Sequence, residues 1–125
     1  MPDELPDNVL RLLKRGVPTY TAAEFLLLIR KVGRFTTVAE LCAMRQPPAD
    51  AREVEGYLRL FQVTKLITFR GNAYHFDPGS ADLQTAVEDL AITYNERPVT
   101  LIRTIYALED RKIQSFADAF KIKEA

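Results

Sequence analysis

Thr37-Val-Ala-Glu40-Leu-Cys42, then Arg45-Gln-Pro-Pro48, then Val54, Leu58 and Phe61, then Lys65-Leu-Ile-Thr-Phe-Arg-Gly-Asn-Ala-Tyr-His-Phe76 form the stretch that decides the fold. Thr37 and Glu40 have the spacing of a capping box, in which hydroxyl and carboxylate satisfy the free N–H groups at a helix start. Val38, Leu41 and Cys42 then give that short helix its apolar side. Pro47 and Pro48 stop it and open the next, because proline suits a first helical turn. A longer helix is expected from about Ala49 to Gln62, with Ala51, Val54, Leu58 and Phe61 on its buried face. Leu66–Phe69 and Tyr74–Phe76 are rich in β-branched and aromatic residues, and Gly71-Asn72 between them fits a tight hairpin turn. The order is short helix, turn, longer helix, two-stranded hairpin.

Helices flank this unit on both sides. Val9, Leu10, Leu12 and Leu13 mark a short helix over Asp7–Arg15 that Gly16 and Pro18 end. Thr21-Ala-Ala-Glu24 repeats the capping-box spacing and predicts a helix burying Phe25, Leu28, Ile29 and Val32, closed by Gly33. After the Asp77-Pro-Gly-Ser80 loop, Leu83, Ala86, Val87, Leu90, Ala91 and Tyr94 define a long helix. Pro98 interrupts it. Two more helices are expected, one carrying Val99, Leu101, Ile102, Ile105, Tyr106 and Leu108, the last carrying Ile113, Phe116, Ala117 and Phe120. The fold class is therefore mainly α with a small β-hairpin. It divides into an N-terminal helix (1–18), the central unit (19–78) and a C-terminal helical segment (79–125) packed on the same domain.

Composition narrows the function. A chain of 125 residues with 47% hydrophobic and 27% charged side chains can bury a core without disulfides or metal. One cysteine, Cys42, and one histidine, His75, fail the arithmetic of a structural zinc site and of most catalytic triads. Neither a phosphate-binding glycine loop nor a nucleophile elbow is present, and Glu88-Asp89 occupy adjacent helix positions that do not face each other. The expectation is a non-enzymatic protein without cofactor or metal. With no run long enough to span a bilayer and Met-Pro-Asp-Glu at the start, a cytoplasmic protein is expected. Seventeen basic and seventeen acidic residues cancel, but not evenly: Thr19–Phe76 holds eight basic against five acidic, while Asp77–Glu96 holds five acidic and no Lys or Arg.

This order of elements resembles a winged helix-turn-helix domain, and within that class the small MarR-like bacterial regulators. Leu58, Phe61, Leu66, Ile67, Tyr74 and Phe76 carry the likeness: a leucine-bearing helix, a Leu-Ile strand and a short wing ending in Tyr-x-Phe. Two positions depart from it. Lys65 stands where a glycine is expected, and Asp82–Phe120 lacks the long dimerising helices of a full MarR protein. The C-terminal segment is closer to small bacterial winged-helix proteins ending in a Phe-Ala-Asp-Ala-Phe-like segment, here Phe116–Phe120. The resemblance implies that the longer helix enters the DNA major groove while the hairpin touches the flanking backbone.

On that helix the outward face is expected to be Ala49, Arg52, Glu53, Gly56, Arg59 and Leu60. The candidate DNA contacts are Arg45, Arg52 and Arg59 with Lys65, Arg70 and Asn72 at the hairpin. Glu53 and Glu55 oppose phosphate, and Gly56 with Leu60 forms a small apolar patch suited to a protein partner. Gly56 costs about 1 kcal/mol in mid-helix relative to alanine, so a close approach by another backbone is expected there. Leu101 and Ile105 belong to a helix apolar on more than one face and are candidates for a homodimer interface. Phe25, Phe61, Phe69, Tyr74, Phe76 and Phe116 sit at core spacing, whereas His75 alternates outward. Two functions remain: a sequence-specific DNA-binding transcriptional regulator, or a protein-interaction module that does not bind DNA.

Overall fold

Both halves of the Thr37 capping box form. The Thr37 side chain accepts from the Glu40 N–H, and the Glu40 carboxylate accepts from the Thr37 N–H at 3.0 Å. The computed structural model describes the backbone of residues 5–124 and the side chains of residues 5–111. Among them the order is α1 (Asp7–Arg15), α2 (Tyr20–Val32), β1 (Thr36–Thr37), α3 (Val38–Ala43), α4 (Ala51–Val63), β2 (Ile67–Arg70), β3 (Ala73–Phe76), α5 (Ala81–Glu96) and α6 (Pro98–Glu124). The protein is mainly α with one small antiparallel sheet of strand order β1-β3-β2.

The hairpin is a two-residue connection, since Arg70 pairs with Ala73. Gly71 and Asn72 both take positive φ, 54° and 68°, the geometry that matches the twist of a tight hairpin. The third strand was not expected. Thr36 pairs with Tyr74 and Thr37 with Ala73, so the capping threonine and the β-branched residue before it widen the hairpin into a sheet.

α4 ends in a Schellman arrangement: Leu66 N–H donates to the Phe61 carbonyl at 2.8 Å and Lys65 N–H to the Gln62 carbonyl at 3.0 Å. Lys65 is the left-handed residue this motif needs, at φ 64°. A lysine thus holds the conformation usually given to glycine, at a cost of roughly 1–2 kcal/mol. Its carbonyl also accepts from Gly79 N–H at 2.8 Å, which ties the end of α4 to the loop leading into α5.

A single apolar core runs through all the layers. Phe25, Leu26 and Ile29 of α2 meet Leu41 of α3, Val54, Leu58 and Phe61 of α4, and Leu66 and Ile67 of the hairpin. Val9, Leu12 and Leu13 of α1 and Ala86, Val87 and Leu90 of α5 extend it, and Leu101 and Ile105 of α6 complete it. Each fully buried side chain of this size contributes about 1.5–3 kcal/mol. α5 is clasped to the first two helices: Asn8 of α1 donates to the Asp89 carboxylate at 2.7 Å, and Tyr20 of α2 stacks on Tyr94 with ring centres 5.3 Å apart.

Several expectations need correction. α2 starts two residues early, capped by Thr19, whose hydroxyl accepts from Ala22 N–H at 3.0 Å, so Thr21 and Glu24 lie inside the helix. The two helices expected after Pro98 are one, α6, of 27 residues and hence roughly 40 Å long. The side chains of Ile113, Phe116, Ala117 and Phe120 lie outside the described residues. Leu101 and Ile105, offered as dimer contacts, are 0% and 4% exposed because they close the chain's own core. Phe69 is 47% exposed instead of buried. A Cβ added at Gly56 meets nothing within 4 Å, so no neighbouring element of the chain requires a glycine there.

Candidate nucleic-acid interface

α4 buries Val54, Leu58 and Phe61 and turns Arg52, Glu55, Arg59 and Gln62 to solvent. This is the helical spacing that presents a stripe of side chains to a groove or a partner. Glu53 is engaged within its own helix, accepting from the Tyr57 hydroxyl at 2.6 Å. Burial of the Tyr57 ring, which packs against Phe25, and this bond to Glu53 push the phenol up from its ordinary value. Of the two carboxylates that oppose phosphate, only Glu55 projects into the arginine stripe. Towards the C-terminal end of α4 the surface becomes apolar, with Leu60 38% and Val63 82% exposed.

The hairpin carries the second group of residues. Strand alternation puts Thr68, Arg70, Ala73 and His75 on its outer face, joined by Phe35 from the residue before β1. The Arg70 guanidinium lies over the Phe35 ring, 5.7 Å from its centre, and Phe35 in turn meets His75 at 5.0 Å. On the opposite face Phe69 meets Tyr74 at 4.8 Å. Ile67, two pairs nearer the base on the same face, is 6% exposed, so the edge of the core passes between Ile67 and Phe69. Arg34 flanks Phe35 and bonds Glu40 at 3.3 Å. That pairing and the capping bonds hold the Glu40 carboxyl below its usual range, the bond from Thr37 N–H being the largest cause.

The expected basic residues are not all brought together. Arg52 and Arg59 share the outer face of α4, and Arg70 and Asn72 share the tip of the hairpin. Arg45 is half-buried over the Phe25 ring at 5.5 Å and lines a groove with Glu24 and Tyr94, so it braces α2 and leaves the outward set. Lys65 lines a different groove, of about 800 Å³, with Arg11, Arg15, Val63 and Asp82 between α1, α4 and α5. Gly56 is half-buried and Leu60 exposed on α4.

Phe35, Arg34 and Val63 were missed as surface residues. The signal for Val63 was its position three residues beyond Leu60 on the same helix face; for Phe35 it was the β-branched pair that follows. Cys42 is half-buried, and its thiol is pushed up by burial first and then by Asp50 and Glu55. Among the described residues no helix is long and apolar enough to cross a membrane, and no group of three or more His, Cys, Asp or Glu is placed to hold a metal ion. Comparison with known proteins finds no match among family models, curated proteins or solved structures.

Proposed function

We propose that this chain is a DNA-binding transcriptional regulator of winged-helix type, acting in the cytoplasm as a homodimer. The observation that carries the reading is the coupling of α4 to the hairpin. A Schellman turn at Lys65 joins a helix displaying Arg52, Arg59 and Gln62 to a tight wing tipped by Arg70 and Asn72. In such an arrangement the helix reads base edges from the major groove, with arginine the preferred donor to guanine and glutamine to adenine. Arg70 and the exposed amides of the wing neutralise and bond the flanking phosphates. Dimerisation is supported by a second apolar stripe on α6, Val99, Ile102 and Tyr106, of which Val99 is 58% and Tyr106 63% exposed; Ile92 of α5 is 54% exposed.

The test is selection from a pool of random duplex DNA across a salt series, with the oligomeric state measured alongside. Enrichment of one motif with a steep salt slope supports the reading. Arg52→Ala should then relax specificity at one position, and Arg70→Ala should lower the salt slope by about one with little change in motif. No binding at low salt rejects it. A second reading, a protein-interaction module, is favoured by the Leu60–Val63 patch, since an 82% exposed valine beside a 38% exposed leucine is apolar surface on the very face DNA would need.

A further inference from the structure

α6 carries two apolar stripes, and the chain's own core uses one of them. Leu101, Ile105 and Leu108 pack inward. The other stripe lies about 100° round the helix. Val99, Ile102, Tyr106 and Glu109 follow one another at alternating steps of three and four, and the sequence continues that alternation through Ile113, Phe116 and Phe120. This is the heptad spacing of a coiled-coil seam, with 99, 106, 113 and 120 at one seam position and 102, 109 and 116 at the other. Val99 is 58% and Tyr106 63% exposed, and Glu109 is exposed too. Beside the seam, on the side away from the core, stand Arg103 and Asp110, one heptad apart and both exposed. Among the described residues neither takes part in an ion pair.

Those two charges select both the direction and the register of a partner helix. When two copies of the seam run antiparallel, the flanking positions of one face the same positions of the other, and interdigitated seams slide only by whole heptads. One register sets Arg103 against Asp110 of the second copy and, through the twofold axis, Asp110 against its Arg103. A slide of one heptad either way sets Arg103 against Arg103 or Asp110 against Asp110, which is repulsive. A parallel pair would enclose two copies of Glu109 side by side, two carboxylates with no cation between them. In the favoured register Glu109 falls level with Tyr106 of the second copy, whose hydroxyl can donate to it. Positions 99 and 102 fall level with positions 116 and 113, so apolar residues meet along the rest of the seam. We propose that the outer stripe of α6 pairs antiparallel with the same stripe of a second copy, with Arg103 against Asp110 at both ends of the contact. The inference rests on the homodimer reading above and deepens it.

Sedimentation equilibrium on the full chain tests it. The parent should be a dimer. Arg103→Glu or Asp110→Arg, each of which creates two like-charge contacts, should weaken that dimer roughly tenfold. Arg103→Glu with Asp110→Arg restores unlike charges and should return the affinity to within about threefold of the parent. Both side chains are exposed, so each variant should keep the parent's thermal melt. Disulfide trapping reads the register directly. In a Cys42→Ser background, a mixture of Arg103→Cys and Asp110→Cys chains should cross-link on mild oxidation. Arg103→Cys chains alone should not, because their two positions lie about 10 Å apart along the helix axis. A dimer indifferent to the single charge changes, or Arg103→Cys chains that cross-link as fast alone as in the mixture, overturns the pairing while the homodimer reading stands. A monomer at all concentrations overturns both.

Discussion

Replacing Gly56 with alanine separates the physics of the free protein from that of its complexes. The glycine lies in the middle of α4, five residues from its start at Ala51, and the added methyl meets nothing within 4 Å. Steric cost is therefore absent, and the methyl gains little burial because the space is open. What remains is backbone entropy: alanine is favoured over glycine in a helix interior by about 0.8–1 kcal/mol. For 125 residues the entropy of unfolding is roughly 0.26 kcal/mol/K, so a gain of about 1 kcal/mol raises Tm by roughly 4 °C. Urea unfolding followed by circular dichroism should show the midpoint rise with an unchanged slope, since native and unfolded states keep their compactness. A Gly56→Ala protein no more stable than the parent would refute the reasoning, because it would mean that the site carries a contact or strain the structure does not contain. Were the stabilised variant to lose affinity for DNA or for a protein partner, the glycine would owe its place to that partner's close approach.

Other changes should act with opposite sign or in another pH range. Gly16→Ala should destabilise by about 1–3 kcal/mol, as a typical overpacking, because the new methyl runs into the Thr64 side chain at the end of α4. Adding Thr64→Ala should recover part of that loss in a double-mutant cycle, and strict additivity would argue against the contact. Tyr94 is pushed up to about 12, first by burial and next by its hydrogen bond with Tyr20. The shift is upward from an ordinary value of 10.0, so its contribution is complete below that pH and is lost as pH rises towards about 12. Stability measured along an alkaline series should fall over that window in the parent and fall less in Tyr94→Phe.

The elements that decide the fold were legible because their signals are local. A capping box, two prolines, a helical apolar period and a Gly-Asn turn each specify a backbone shape within a few residues, and Thr37, Val54–Phe61 and Gly71–Asn72 behave accordingly. The start of α2 was misplaced for the same reason: Thr19 and Thr21 both offer a hydroxyl, and only the packing of Ala22 and Ala23 into the core favours the earlier one. Strand β1 is two residues long and exists through its pairing with β3, a non-local contact that leaves little trace in sequence. The candidate site was harder to read. Arginines at 45, 52, 59 and 70 look alike in a sequence; which of them points outward depends on whether an aromatic ring is within reach. Phe25 takes Arg45 inward, whereas Phe35 holds Arg70 at the surface. Phe69 has the alternation of a core residue, yet the core stops at Ile67, two pairs short of it.

The clasp between α1 and α5 governs how this chain comes off the ribosome. Eighty-one residues separate Asn8 from Asp89, and at about 5–20 residues per second that interval is on the order of four to sixteen seconds. Throughout it Val9, Leu12 and Leu13 have no α5 to cover them, although the sheet and α4 can already assemble behind. The nascent chain therefore presents an oily flank to its surroundings, or to whatever chaperone waits at the exit tunnel, until α5 has emerged.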